Sequence, residues 1–259
     1  MGITMILLVL ACRLPLTQNN SLKILLPLYI YPNWYESDNY VWSKVVSASK
    51  QVPIVAIINP NNGPDGKPPN EDYGQGLKDL AQAKIKTLGY VYTKYGDRPL
   101  AEVKQDIDLY YRHFGVKGIF LDESASNEQK IDYYQAIYDY IKIKGKQEQI
   151  IINPGTHTDQ AFFTRPATDI SVIFENFSQA WESYEPKVYV SQHDKKNFAS
   201  LIHSVPDIAM MKSHIDRAIQ RNIGYVYVTN DSPIGGDGDP WNSLPDYWQE
   251  EIDYIQSLM

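Results

Sequence analysis

The sequence has one cysteine, Cys12, so no disulfide can form within the chain. It is also short of cations: 24 Lys and Arg stand against 31 Asp and Glu, for a net charge of −7. Those cations form no basic stripe, and phosphate backbones are held by clustered Lys and Arg, so nucleic acid is not an expected partner. No apolar run approaches the roughly 20 residues that span a bilayer, so no integral membrane domain is expected either. Metal and nucleotide signatures are missing as well: no HExxH, no paired-cysteine zinc spacing, no GxSxG, no P-loop and no GxGxxG after the first strand. His157, His193 and His203 are scattered in no spacing that implies a metal. Neither a metal nor a cofactor is therefore expected.

The apolar segment from Ile3 to Cys12 has about the length of a signal-peptide core, although no Lys or Arg precedes it. Val9-Leu10-Ala11-Cys12 loosely resembles a lipoprotein cleavage box, with Leu10 atypical. Residues 1–20 are thus read as a signal-like or lipoprotein-like segment, or an extension, and 21–259 as the folded domain. The expected location is outside the cell or at its surface.

What is present is a 43% hydrophobic chain with 20 Tyr and 5 Trp, enough apolar material for one large core. Short apolar runs bounded by Pro, Gly and Asn alternate with segments of helical spacing. The runs lie at Leu22–Ile30, Val52–Ile58, Gly89–Thr93, Gly118–Asp122, Ile150–Ile152, Ile170–Phe174, Phe198–His203 and Gly224–Val228. Helices are predicted over Asn39–Lys50, Gln75–Thr87, Pro99–Phe114, Glu128–Ile143, Ile208–Arg221 and Tyr247–Leu258, with a shorter one after Asp159 and an ill-defined stretch from Trp181 to His193. Runs without polar alternation suit strands buried on both faces of a parallel sheet. Eight such alternations predict an α/β fold, a single (β/α)8 barrel of the TIM type, whose usual length of about 250 residues this chain matches.

In such a barrel the chemistry sits where strands end. The run Gly118-Ile119-Phe120-Leu121 leads straight into Asp122 and Glu123, and Val172-Ile173-Phe174 leads into Glu175 and Asn176. Strands 4 and 6 share parity, so Asp122 and Glu175 are expected to project into one layer of the mouth. Glycoside hydrolysis needs two carboxyl groups across the scissile bond, one of them kept protonated. The apolar setting of Glu175 suits the acid, leaving Asp122 as nucleophile or as stabiliser of the oxocarbenium-like transition state. Glu123 is the third catalytic candidate. Tyr29, Tyr31, Asn59, Tyr92, Asn153, Asn176, His203 and Asn230 lie near strand exits as candidate substrate contacts. Several have a plainer reading: Asp122 as a helix cap, Glu123 as a solvated or ion-paired loop acid, Asn59 and Asn153 as turn formers before Pro, Tyr29 and Tyr92 as barrel packing, and His203 as a core histidine.

Several stretches together resemble the spherulin 4 (spherulation-specific) family. They are Pro27-Leu28-Tyr29 with Ile30-Tyr31-Pro32, VAIINPNNGP at 55–64, Leu88-Gly89-Tyr90-Val91-Tyr92-Thr93, GIFLDE at 118–123, Asn153-Pro154-Gly155, Phe174-Glu175 and the closing PDYW at 245–248. The resemblance covers nearly the whole chain after residue 22. It implies a (β/α)8 fold and the activity of fungal members in glycoside hydrolase family 135, which cut α-1,4-linked N-acetylgalactosamine in galactosaminogalactan. It further implies an acidic pair after strand 4 and a glutamate after strand 6, here Asp122, Glu123 and Glu175. Asn59, Asn153 and the strand-1 tyrosines fall where family members line the groove. The loop Asp237-Gly238-Asp239-Pro240-Trp241 departs from the family pattern. The expected partner is a polysaccharide; a barrel that binds glycan without cleaving it is the alternative.

Overall fold

The computed structural model describes residues 22–235 and 238–259. The leader expected over residues 1–20 lies outside the described residues, as does part of the 237–241 loop. Eight parallel strands close into a barrel in sequence order. They are β1 Lys23–Leu28, β2 Ile54–Ile58, β3 Lys86–Tyr92, β4 Gly118–Asp122, β5 Gln149–Ile152, β6 Ile170–Phe177, β7 Phe198–His203 and β8 Tyr225–Val228. The strands are buried almost throughout, which is why their sequences are apolar runs. Among the described residues no helix is long and apolar enough to cross a membrane.

The outer layer comprises α1 Val41–Ala48, α2 Glu71–Gln82, α3 Leu100–Leu109, α4 Ile131–Lys144, α5 Ala161–Thr164, α6 Ser178–Glu182, α7 Val188–Gln192, α8 Ile208–Gln220 and α9 Trp248–Ser257. The ill-defined stretch after Trp181 resolves into the end of α6 and all of α7. Pro99–Phe114 is helical as expected, but its last turn, Tyr110–Phe114, widens to a π-helix. The boundary between the second helix and the third strand differs more. The helix predicted at Gln75–Thr87 begins at Glu71, because the Asn70 side chain accepts from the Tyr73 N–H at 2.9 Å and caps it. It stops at Gln82, Lys84 turns the chain through a left-handed conformation (φ 58°), and β3 has begun by Lys86.

Two departures from regularity matter for function. The β1–β8 pairing covers only Lys23↔Tyr225 and Ile24↔Val226, so the barrel is thinly laced at its closing seam. In β6 the register shifts between Val172 and Phe174, leaving Ile173 as the extra residue of a β-bulge. Ser171 faces outward beside its partner Phe198, whose ring packs on Phe163 and Tyr189 of the helical layer. Phe174, three residues on, also faces outward, against Trp181 and Tyr184. Strict alternation would put it inside. The bulge therefore reverses the facing of the remaining strand residues and turns Glu175 inward.

Candidate active site

Asp122 is the last residue of β4 and pairs with Tyr92 of β3. Two residues back along β3, Tyr90 projects to the same side, and its hydroxyl donates to Asp122 Oδ2 at 2.7 Å. Asn153 follows β5 and is buried. Its Nδ2 donates to Asp122 Oδ1 at 2.8 Å and also to Glu175 Oε2. The Asn153-Pro154-Gly155 turn fixes that amide: Asn153 Oδ1 accepts the Gly155 N–H at 3.1 Å, and the Gly155 carbonyl accepts the Glu175 N–H at 3.1 Å. Gly155 adopts φ 64°, a left-handed conformation that favours glycine. With the amide oxygen committed to the turn, both hydrogens of the NH2 face the acids.

One nitrogen shared by two carboxylates holds the nearer oxygens within about 6 Å of each other, two hydrogen-bond lengths. That is close to the ~5–5.5 Å carboxyl spacing of retaining glycosidases and short of the roughly 6.5–9.5 Å of inverting ones. Burial raises the Glu175 carboxyl, the Asp122 charge raises it further, and donors from Asn153 and the Trp241 indole oppose them, leaving it at about 7. Burial raises Asp122 too, against three donors: the Tyr90 hydroxyl, the Glu123 backbone N–H and Asn153. Asp122, the intrinsically stronger acid with more donors to its anion, ionises first. The proton of the pair therefore resides on Glu175.

Around this group the other sequence candidates separate into two sets. Tyr29 packs edge-on against Tyr90, ring centroids 5.7 Å apart, and burial beside Asp122 keeps its hydroxyl protonated. His203 is buried and held neutral, its pKa pushed down to about 4 by desolvation. It reaches Glu175 through Trp241, whose ring lies 5.8 Å from its own. Glu123 is exposed at the rim in a left-handed conformation (φ 46°), outside the bridged pair. Its carbonyl accepts from Tyr95 N at 2.6 Å and Thr93 Oγ1 at 2.9 Å. Lys94 and Tyr95 are left-handed as well, so strained backbone clusters at this edge of the mouth.

The second set has local partners. Asn59 accepts the Gly63 N–H at 2.9 Å, a turn-forming role. Tyr92 lies under the Arg98 guanidinium at 4.2 Å. Asn230 exchanges two hydrogen bonds with Asp246, Nδ2 to Oδ2 and the Asp246 N–H to its Oδ1, both 2.9 Å. Asn176 is exposed and accepts the following Phe177 N–H. Tyr31 stands on the outer rim, 44% exposed. Sequence reasoning missed Tyr90, Gly155 and Trp241. Tyr90 could have been found, since a residue two before Tyr92 shares its side of the strand.

The sequence pattern of spherulation-specific family 4 matches residues 23–255. The chain belongs to this family. Spherulin-4 of Physarum polycephalum is 33% identical over 252 residues, covering 93% of this chain and 72% of that protein. Among solved structures, Aspergillus clavatus Sph3 in complex with GalNAc superposes with a TM-score of 0.77 at 22% identity, over 92% of this chain and 98% of that one. A chitinase from Chromobacterium violaceum superposes at 0.55 with 10% identity, over 91% and 99%. At those identities the two structures establish a shared barrel for this family 4 member.

Proposed function

We propose that this family 4 member is a glycoside hydrolase that cuts within a polysaccharide containing N-acetylgalactosamine or galactosamine, of the α-1,4-linked kind. The observation that carries the reading is the Asn153 amide holding Asp122 and Glu175 together, one of them charged and the other protonated. Likeness in fold to a protein crystallised with GalNAc supports the choice of sugar. Glu175 gives its proton to the glycosidic oxygen as the bond to the anomeric carbon breaks. On the opposite face, ionised Asp122 either bonds to that carbon or orients the substrate's own acetamide, whose oxygen bonds to it instead. Glu175, now ionised, then takes a proton from water as the water's oxygen replaces that bond. Tyr90 and Asn153 keep Asp122 aimed and charged throughout.

The test is release of reducing ends from a panel of galactosamine- and glucosamine-containing polymers, by the parent protein and by Asp122→Asn and Glu175→Gln. Each substitution is expected to lower the rate by at least ~10³-fold with the fold intact. Full activity in either variant overturns the assignment. Polymer retained by the parent protein without any product would show a glycan-binding barrel instead.

A further inference from the structure

We propose that the rim built by the β1–α1 loop and the first turn of α2 is a second carbohydrate position, which stacks a remote pyranose ring of the same polysaccharide on Trp34 and Tyr31. Three aromatic side chains crowd five residues of this loop, all solvent-facing: Tyr31 at 44%, Trp34 at 46% and Tyr35 at 60% exposure. Single exposed aromatics are ordinary on protein surfaces. These are held in place. Both oxygens of Asp72 are engaged by ring donors, Tyr31 Oη at 2.5 Å and Trp34 Nε1 at 2.9 Å. Asn70 Nδ2 donates to the Tyr31 hydroxyl at 2.9 Å, and Tyr31 stands edge-on to Tyr73 at 5.5 Å. The backbone beneath is closed by turns, Trp34 N to Pro32 O at 2.8 Å and Glu36 N to Asn33 O at 3.0 Å.

Fixing large amphipathic rings in water, with their polar tips tied down, leaves apolar faces that lose little entropy on binding. The C–H face of a sugar is the natural complement to such a face, and Asp72 keeps lone pairs free to accept from sugar hydroxyls. Beside Tyr31 lies a hollow of about 300 Å³ whose lining includes Asn61, Asp65, Lys67 and Asn70, polar groups suited to hydroxyl-rich ligands.

Continuity with the mouth selects the occupant. Loops that follow β1 and β2 open on the same barrel end as Asp122 and Glu175. Tyr29, whose ring touches Tyr90 beside Asp122, precedes Tyr31 by two residues, about 7 Å of extended chain. A polymer lying across the mouth reaches both places; a monosaccharide does not. The inference rests on the hydrolase reading for the identity of the sugar and adds a length requirement to it.

The experiment uses the full chain carrying Glu175→Gln, titrated calorimetrically with a partially N-acetylated α-1,4-galactosamine polymer and with free N-acetylgalactosamine. Adding Trp34→Ala, or separately Asp72→Ala, is expected to weaken polymer binding by roughly tenfold and leave the monosaccharide unaffected. Unchanged melting temperatures exclude misfolding, and loss in both variants ties the effect to the clamped rings. In the active protein Trp34→Ala is expected to raise KM on polymer at constant kcat. Polymer affinity equal to that of Glu175→Gln alone in both variants, or no polymer binding by Glu175→Gln itself, overturns the rim site. Polymer that binds through Trp34 but is never cut by the parent protein sinks the hydrolase reading and leaves the rim site standing.

Discussion

Glu175 and Glu251 occupy opposite situations in the same barrel although burial raises both carboxyl groups. Glu175 meets a second acid, an amide donor and an indole donor in the mouth. Glu251, on α9, is fully buried, and its Oε1 accepts the Val228 N–H at 3.2 Å. That N–H lies beyond the point where β8 stops pairing with β1. Glu251 thus plugs the closing seam, and its Oε2 finds no partner among the described residues. A raised pKa alone therefore does not mark chemistry; the partners of the group and its access to ligand do. Glu175 has a neighbour whose negative charge helps keep it protonated, and Glu251 has only a strand end to satisfy.

The sharpest way to break the comparison is to neutralise each acid in turn. Glu175→Gln is expected to cost at least ~10³-fold in kcat, and Glu251→Gln to leave kcat within about threefold, measured on one polymer. Comparable losses in both would erase the distinction. Next in size is Asn153→Ala, which removes the donor shared by the pair. A fall of about 10²-fold is expected, because the two carboxyls lose their common aim. Asn153 stabilises both ionised forms, so its loss raises both pKa values and moves both limbs of the pH–rate profile to higher pH. Limbs that stay in place would show the bridge to be a packing contact.

The seam gives a third and smaller effect, on stability. An unfolded Glu251 ionises from about pH 4.5, while the buried one keeps its proton well above that. Over that range the unfolded chain binds fewer protons than the native one, so stability falls as pH rises, by about 1.4 kcal/mol per pH unit for this group. Glu251→Gln cannot ionise. Its stability from urea melts at pH 5 to 8 should therefore decline less steeply than that of the parent protein. Parallel curves would mean that Glu251 is already charged in the fold.

The strand runs were legible because barrel strands are buried on both faces, so Gly118–Leu121 and Ile150–Ile152 read as unbroken apolar stretches. Asp122 could be placed for the same reason, as the first polar residue after such a run. The facing of Glu175 could not. Shared parity of β4 and β6 pointed to two acids that the fold does bring together, yet the inward turn depends on the extra residue at Ile173, and Val172-Ile173-Phe174 gives no sign of which residue is surplus. Asn59 and Asn230 satisfied the strand-exit argument as well as Asn153 did. What separates them is which neighbour captures the amide: Gly63, Asp246, or the two acids. The helix before β3 starts earlier than its apolar spacing suggested because Asn70 caps it, and it stops short of Thr87 because Lys84 turns the chain through a left-handed conformation.

Trp241 offers the finest cut between the two acids, since it touches only Glu175. It comes from the loop after β8, and its ring packs against His203 and Tyr227 at 5.8 and 5.9 Å. Its indole N–H favours ionised Glu175 and so opposes burial and Asp122, the balance leaving that carboxyl at about 7. Trp241→Phe keeps an aromatic ring on His203 and deletes only that donor, so the Glu175 pKa should rise. Glu175 acts as the proton donor, so activity survives to higher pH: the alkaline limb of kcat/KM is expected to move up by about half a unit to one unit. At pH 5, where Glu175 is protonated in both proteins, kcat should change by less than about threefold. A fall at pH 5 with an unmoved alkaline limb would make Trp241 a wall of the substrate groove and leave the acidity of Glu175 to burial and Asp122 alone.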